Sequence, residues 1–195
     1  MSYYFTNDEN LKSEIRTNKV IIKNLSFTFY TDNGVFSKKG LDFGTRTLLE
    51  SISGVSGDVL DLGCGYGPIG IYVAKKYNII PDMIDVNRRS IDLATKNANN
   101  NNICINIIES DGYSKINKKY DYIITNPPIR VGKEKLYSLL YDSINHLKPN
   151  GELWLVIHKD QGAKTLLKDL QKTNDAIVIN KNKGFYVIMV KNKSN

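Results

Sequence analysis

The hydrophobic and polar positions of the chain follow two different patterns on either side of about residue 58. Before it, residues 19–29 read KVIIKNLSFTF, in which apolar and polar residues alternate and a polar break falls at Lys23 and Asn24. Alternation with a period of two is typical of β-strands, and the break indicates a turn. This part of the chain is predicted to form a β-hairpin or two short strands.

A loop and a short helix are predicted to follow. Residues 31–44 contain two turn signals with glycine. Thr45 is a residue type that N-caps helices, so we expect it to start a helix that ends near Ser51. Leu48 and Leu49 would face the core.

From residue 58 onward, short apolar runs alternate with stretches of helical periodicity. The runs are VLDLG, IIPDMIDV, ICINIIES, YDYIITN and ELWLVIH, and all but the third precede a helical stretch. This order is typical of βαβ units with a parallel sheet and helices on both faces. The last two runs, AIVIN and FYVIMVK, are separated only by KNKG and should form an antiparallel hairpin. The prediction is an α/β fold with a seven-stranded, mostly parallel sheet.

The composition of the chain limits the class of protein and its expected location in the cell. The 195 residues are 41% hydrophobic and 24% charged, as in one globular domain, with residues 1–43 expected as a β extension and loop packed on residues 44–195. No segment reaches the roughly 18 apolar residues of a membrane span, and no signal sequence is recognised, so a cytoplasmic protein is expected. The net charge of +7 favours a polyanionic partner, although a Lys-, Asn- and Ile-rich composition is the alternative explanation. The oligomeric state stays open.

The cysteines and histidines show no metal-ligand spacing. Cys64 and Cys104 lack a CxxC partner, and His146 and His158 are not spaced to join them. We therefore expect no metal and no disulfide, and predict that both thiols are buried and free.

Three glycines close together suggest a ligand-binding loop. Gly63, Gly65 and Gly67 lie between a buried strand and a helix. Glycines there allow the backbone to turn tightly and to approach a ligand, and the helix N-terminus offers free N–H groups. A cofactor site is the prediction, and a purely structural turn is the alternative.

The identity of the cofactor depends on the register of the loop. Residues 65–70 satisfy GxGxxG, and Asp85 lies 20 residues beyond Gly65, as in nicotinamide-dependent oxidoreductases. The turn, however, already begins at Gly63, earlier than a dinucleotide site requires. An anionic Asp61 would also oppose a pyrophosphate but would suit the ammonium and sulfonium charges of S-adenosylmethionine.

Residues 61–67, DLGCGYG, resemble motif I, (D/E)-x-G-x-G-x-G, of the class I S-adenosylmethionine-dependent methyltransferases. The resemblance implies a Rossmann-like methyltransferase fold in which this loop wraps the methionine part of the cofactor. It also implies that Asp85 holds the ribose hydroxyls and that Asp111 contacts adenine, with a turn aspartate as the alternative for Asp111. The cofactor residues so implied are Thr45, Asp61, Gly63, Cys64, Gly65, Gly67, Asp85, Val86, Asp111, Gly112 and Asn126.

The segment TNPPIRVGK, residues 125–133, follows another apolar run. Asn126, Pro127 and Pro128 match motif IV of methyltransferases that modify amino groups conjugated to a planar system. The lone pair of such an amine is delocalised, so acceptors that hold its hydrogens favour a more nucleophilic nitrogen. The Asn126 side-chain carbonyl and the Pro127 backbone carbonyl are two such acceptors, and the prolines fix their direction. A simple strand break is the alternative.

The residue after NPP narrows the resemblance. Ile129 stands where many adenine and glutamine enzymes have Tyr or Phe. The chain instead resembles the RsmC family, and the resemblance includes NPPI, residues 34–50, residues 147–164 and the closing GFYVIMVK. That family forms N2-methylguanine in small-subunit ribosomal RNA, which implies ribosomal RNA or the small subunit as partner. Ile129, Arg130 and Lys133 become the candidate substrate-binding residues. The proteobacterial enzymes have a degenerate domain ahead of the catalytic one, whereas these 195 residues are expected to form only the catalytic unit.

Other functions stay open at the level of sequence. An adenine-N6 or protein-glutamine amino methyltransferase shares NPP, and the GxGxxG match allows an NAD-binding oxidoreductase. A catalytically silent RNA-binding module is a further alternative, which intact Asp61, Asp85, Asn126 and Pro127 disfavour.

Overall fold

The computed structural model describes residues 12–37 and 40–191. The predicted hairpin is confirmed: β1 (Arg16–Ile22) and β2 (Leu25–Thr31) pair antiparallel and turn at Lys23 and Asn24. The helices that follow are α1 (Phe43–Ser51), α2 (Pro68–Tyr77), α3 (Arg88–Asn100), α4 (Lys133–Asn145) and α5 (Ala163–Leu170). The remaining strands are β3 (Val59–Leu62), β4 (Asp82–Asp85), β5 (Asn106–Glu109), β6 (Tyr120–Thr125), β7 (Leu147–His158), β8 (Asp175–Asn182) and β9 (Phe185–Lys191).

The main sheet has seven strands in the order β5-β4-β3-β6-β7-β9-β8. Strands β3 to β7 are parallel, and β9 pairs antiparallel with both β7 and β8. The predicted fold class is therefore confirmed. From β3 the chain adds β4 and β5 on one side of the sheet, and it then crosses to the other side of β3 to add β6 and β7. Folds of this kind bind ligands where the strand order reverses, which is the crevice beyond the carboxyl ends of β3 and β6.

Two apolar cores lie on opposite faces of this sheet. One includes Leu48 and Leu49 of α1 and Tyr72 of α2, all fully buried, which confirms the inward direction predicted for the two leucines. The other includes Leu140 of α4 and Leu166 of α5. Helices therefore cover both faces, and the carboxyl ends of the strands are left for a site.

Several local predictions are corrected. Thr45 is not the N-cap of α1: Asp42 is, and its carboxylate accepts a hydrogen bond from the Thr45 N–H at 3.1 Å. Strand β4 begins only at Asp82, because Pro81 has no N–H to donate to the ladder. Cys64 is buried and Cys104 is exposed, so the expectation of two buried thiols is wrong for Cys104; both are free.

Asn97 joins the β1–β2 hairpin to the rest of the domain. Its Oδ1 accepts from the Tyr30 N–H at 2.6 Å, and its Nδ2 donates to the carbonyls of Tyr30 at 2.9 Å and of Tyr66 at 2.8 Å. One buried amide thus ties β2 to the glycine loop. The division at residue 43 stays a prediction, and residues 1–11 and 38–39 of that extension lie outside the described residues.

Within the described ranges, no helix combines the length and apolar character needed to cross a membrane. The same residues contain no group of three or more His, Cys, Asp and Glu side chains arranged to hold a metal ion.

Candidate active site

The glycine loop is anchored on β4 and leaves open space above its backbone. The N–H groups of Gly63 and Cys64 both donate to the Ile84 carbonyl at 2.9 Å. Gly63 and Gly65 have φ angles of 70° and 56°, and no atom beyond each glycine and its two chain neighbours lies within 4 Å of the position that a Cβ would take. The loop is therefore a backbone cradle into which a ligand fits and a side chain would intrude.

Asp61 lies under this cradle with an unpaired oxygen. The residue is fully buried, and its Oδ2 accepts from the Gly70 N–H at 2.8 Å. Its Oδ1 is also buried and has no hydrogen-bond partner among the described residues. Burial, with a smaller contribution from the charge of Asp85, raises the Asp61 pKa to about 7 despite the bond from Gly70. A cationic ligand group would restore the charged form.

Asp85 closes β4 beside the same loop. Its Oδ2 accepts from the Gly65 N–H and its Oδ1 from the Asn87 N–H, both at 2.8 Å. Burial raises the Asp85 pKa, and these backbone bonds partly oppose the rise. Each carboxylate oxygen has a further lone pair, so the group can accept from two vicinal hydroxyls. Val86, also predicted here, is half-buried in the loop that follows.

Asn126 follows the last residue of β6, as the sequence predicted. Thr125 Oγ1 donates to the Leu62 carbonyl at 2.8 Å, which ties the end of β6 to the end of β3. Asn126 Nδ2 donates to Thr45 Oγ1 at 3.0 Å and lies 3.5 Å from Asp42 Oδ1. No donor of the described residues bonds to Asn126 Oδ1, so this carbonyl oxygen is available to a substrate. The helix terminus predicted to meet the cofactor thus orients the motif IV amide.

Asp111 and Gly112 lie at the far side of the site. The Ser110 N–H donates to the Asp85 carbonyl at 2.9 Å, so the loop after β5 starts beside Asp85. The Asp111 side chain is 67% exposed and lies 3.6 Å from the Lys135 ammonium. The adenine contact assigned to it stays a prediction.

Two of the three predicted substrate residues, Ile129 and Lys133, line a cleft on the α4–α5 face. Residues Ile129–Val131 form a short 3-10 helix, and Arg130 and Lys133 are exposed. The cleft has a volume of about 240 Å³. Its lining residues are Ile129, Lys133, Leu136, Tyr137, Ile157, Gln161, Gly162, Thr165 and Leu166.

A group of rings that no local sequence pattern singled out lies near Asp42 and Asn126. The Phe43 and Phe185 ring centroids are 5.9 Å apart, and those of Phe185 and His158 are 4.8 Å apart. The Lys183 ammonium lies 4.9 Å from the centroid of Phe43. These residues are far apart in sequence, and only the pairing of β7 with β9 brings them together. The position of Phe185 directly after the KNKG turn was the one available signal.

Comparisons with known proteins agree with this geometry. The chain matches the family described as Methyltransferase small domain over residues 26–189. It is 41% identical to the uncharacterized protein YbxB of Bacillus subtilis (strain 168) over 97% of this chain and 98% of that protein. Membership in a methyltransferase family decides against the alternative of an NAD-binding oxidoreductase.

Two further relatives are longer proteins. Ribosomal RNA small subunit methyltransferase C of Haemophilus influenzae (strain Rd) is 36% identical over 86% of this chain and 52% of its own length. The structure of the Thermus thermophilus 16S rRNA N2 G1207 methyltransferase RsmC, in complex with AdoMet and guanosine, superposes with a TM-score of 0.82 at 25% identity, covering 94% of this chain and 52% of that one. The chain spans about half the length of these RsmC proteins. It belongs to the methyltransferase small domain family and has the fold of an RsmC-like class I methyltransferase.

Proposed function

We propose that this chain is an S-adenosylmethionine-dependent RNA methyltransferase that modifies the exocyclic N2 amine of a guanine in small-subunit ribosomal RNA. The observation that carries the proposal is the orientation of Asn126. Its Nδ2 is held by Thr45 at 3.0 Å, which leaves its carbonyl oxygen as an acceptor at the edge of the sheet beside the glycine loop.

The residues around the loop fit S-adenosylmethionine, the cofactor of this family. The unpaired Asp61 Oδ1 suits the ammonium of the methionine part, and the open backbone at Gly63 and Gly65 suits its close approach. The two Asp85 oxygens suit the ribose hydroxyls. When bound, S-adenosylmethionine supplies the electrophilic methyl group.

The chain's own contribution to the reaction is positioning and electrostatics. Asn126 Oδ1 and the Pro127 carbonyl each accept one N–H of the target amine, which draws the nitrogen lone pair out of conjugation with the ring. A neutral amide is too weak a base to remove a proton from the ground-state amine. The proton is therefore released to water after the nitrogen has gained its methyl group.

Guanine N2 is favoured over other conjugated amines by two features. Ile129 stands where adenine and glutamine enzymes often have an aromatic ring, and two of the three named relatives are RsmC proteins. The net charge of +7 also suits an RNA partner.

Methylation of RNA from a strain that lacks the gene would test the proposal. Protein, labelled S-adenosylmethionine and either ribosomal RNA or small subunits are incubated, and the labelled nucleoside is identified after digestion. We expect N2-methylguanosine, with Asn126→Ala inactive and the exposed Asn99→Ala fully active as its matched control. Label in N6-methyladenosine would overturn the assignment to guanine, and no label in either RNA form would redirect the search to protein or DNA.

A further inference from the structure

Three neighbouring rings on three different elements form a group that we call the aromatic shelf: Phe43, Phe185 and His158, with the planes of adjacent rings inclined by 43° and 65°. Phe43 starts α1, Phe185 starts β9, and His158 ends β7. Adjacent ring centroids are 5.9 Å and 4.8 Å apart. All three residues are partly exposed, so the shelf is open to an incoming group.

The shelf lies beside the segment that holds Asn126. Phe43 lies between Asp42 and Thr45 in sequence, and Asn126 Nδ2 contacts both of these residues, at 3.5 Å and 3.0 Å. A Cβ at Gly44 would lie 2.7 Å from the Phe185 ring and 3.1 Å from Asp42 Oδ1, so Phe185 is on the same side of this segment as Asn126. A planar group stacked on one of these rings would therefore lie beside the residues that orient Asn126.

Two glycines make room for the shelf. A Cβ at Gly44 would lie 2.7 Å from the Phe185 ring, and a Cβ at Gly184 would lie 2.5 Å from His158 Nε2. Any side chain at either position would displace a ring. The packing of the three rings is therefore specified by the sequence around them.

Lys183 covers the shelf from the solvent side. Its ammonium lies 4.9 Å from the Phe43 centroid, and the residue itself is exposed, with a φ of 45° in the β8–β9 turn. A cation over an exposed ring is a weak contact that an aromatic base can replace by stacking. The displaced ammonium would then be free to pair with an RNA phosphate.

We propose that Phe43 provides the stacking face for the unpaired guanine, the role that Ile129 of motif IV lacks the ring to perform. The proposal rests on the proposed function and assigns it a specific base-binding residue. Stacking on Phe43 would hold the purine ring while Asn126 Oδ1 accepts from its exocyclic amine.

A second ring offers an internal control. Tyr30 is on the β1–β2 hairpin, its ring centroid lies 4.4 Å from the Lys96 ammonium, and its hydroxyl donates to Asn100 Oδ1 at 3.4 Å. It is thus another partly exposed ring under a lysine, but none of its contacts reaches Asn126.

The test compares Phe43→Leu, Phe43→Tyr and Tyr30→Leu with the wild-type protein. Methylation kinetics are measured on ribosomal RNA from a strain that lacks the gene, together with the Kd for S-adenosylhomocysteine and the melting temperature. We expect Phe43→Leu to lower kcat/KM for RNA roughly 5- to 150-fold, the range of a lost base–aromatic stack. Cofactor affinity should be unchanged, Phe43→Tyr should retain activity, and Tyr30→Leu should have a kcat/KM near that of wild type.

A fluorescence measurement of RNA binding distinguishes a stacking role of Phe43 from a structural one. An RNA oligonucleotide with 2-aminopurine at the target position should be quenched on binding by wild type and Phe43→Tyr, and should be brighter with Phe43→Leu. If Phe43→Leu is unstable, Lys183→Ala keeps the ring and should raise KM for RNA while quenching persists. Normal kinetics for Phe43→Leu, or an equal loss of RNA kcat/KM in Tyr30→Leu, would overturn the proposal while leaving the proposed function intact. Absence of RNA methylation by the wild-type protein would overturn both.

Discussion

Asn126 Nδ2 donates to Thr45 Oγ1 at 3.0 Å, across 81 residues of sequence. The amide of motif IV is therefore oriented by a side chain of α1 and not by its own loop. Thr45 is itself buried, and its N–H is held by the N-cap Asp42, so the acceptor has a fixed position. An amide held through its NH2 group presents its oxygen in one direction, which is the property that a positioning carbonyl requires.

Thr45→Val should therefore reduce turnover through Asn126. The valine has the same shape but no acceptor, so the Asn126 amide loses its partner and can rotate. We expect kcat to fall about tenfold, the equivalent of one lost hydrogen bond, with a small change in melting temperature. Steady-state kinetics on labelled RNA would measure this.

Thr45→Ser is the matched control because it retains the hydroxyl, and it should keep most of the activity. Equal kcat values for the valine and serine variants would show that the bond does not orient Asn126.

Gly63→Ala should weaken cofactor binding without a comparable loss of stability. Gly63 has a φ of 70° and nothing within 4 Å of its Cβ position, so the added methyl projects into the cradle. Gly54 has a φ of 71° and an equally open Cβ position, but it lies before β3. Both alanine variants should lose about 1 kcal/mol of unfolding free energy from backbone strain.

Calorimetry with S-adenosylhomocysteine distinguishes the two glycines. Affinity should fall at least tenfold in Gly63→Ala and stay within twofold in Gly54→Ala. A similar affinity for both variants would place the cofactor away from this loop.

The parts of the site that the sequence predicted are those encoded by neighbouring residues. The order of strands and helices follows from local periodicity, and Asp61, Gly63 and Asn126 stand out because their motifs are contiguous and end buried strands. Thr45 was wrongly assigned as the helix cap, because Asp42 competes for the same position three residues earlier, and the role of Thr45 toward the cofactor stays a prediction.

The parts that the sequence did not predict depend on strand pairing and tertiary contacts. Phe43, His158 and Phe185 meet only because β9 returns antiparallel to β7 beside α1. Asn97 lies in the asparagine-rich stretch NANNNN at residues 97–102, which was attributed only to the composition of the chain. It is nevertheless fully buried, whereas Asn99 and Asn100 of the same helix are exposed. Burial of one polar residue within such a run leaves no local signal.

The stability of the cofactor-free protein should depend on pH through Asp61. Its pKa is about 7 in the folded chain, whereas an unfolded aspartate titrates near 4. The unfolded chain therefore releases this proton first, and the folded state is disfavoured progressively as the pH rises from about 4 to about 7. Asp61→Asn removes this titration. As the pH rises across this interval, the unfolding free energy of the variant should therefore increase relative to that of wild type by up to about 4 kcal/mol.

Urea unfolding at pH 5 and pH 8, without cofactor, should show about 3 kcal/mol of that difference, because an unfolded aspartate is already mostly ionised at pH 5. Comparing each protein with itself at two pH values cancels any fixed effect of the amide on packing. Parallel pH dependences for wild type and Asp61→Asn would rule out a raised pKa at this carboxyl.

Cofactor affinity should increase with pH through the same Asp61 proton, whereas the stability of the cofactor-free protein decreases. An ammonium beside Asp61 Oδ1 favours the carboxylate, so binding below pH 7 requires release of the proton. The affinity for S-adenosylhomocysteine should fall as the pH decreases from 7 to 5. Calorimetry in buffers of different ionisation enthalpy would detect the proton released, and a pH-independent Kd without proton release would contradict the assigned contact.

Asn97→Ala should destabilise the protein far more than its place in an asparagine run suggests. The substitution removes three hydrogen bonds and leaves the Tyr30 N–H and the Tyr66 carbonyl without their partner. Buried groups left unpaired cost about 1–3 kcal/mol each, so we expect a loss of about 3 kcal/mol in unfolding free energy. Asn99→Ala, on the exposed face of the same helix, should change it by no more than about 0.5 kcal/mol.

The Tyr66 bond also predicts which function fails first. Tyr66 lies within the glycine loop, so Asn97→Ala should loosen the cradle and weaken S-adenosylhomocysteine binding even at temperatures where the variant is fully folded. Urea unfolding measures the loss of unfolding free energy, and calorimetry at a temperature where the variant is fully folded measures the affinity for S-adenosylhomocysteine. A variant that is destabilised but binds the cofactor like wild type would confine Asn97 to holding the β1–β2 hairpin, because the Tyr30 bonds alone would then account for its effect.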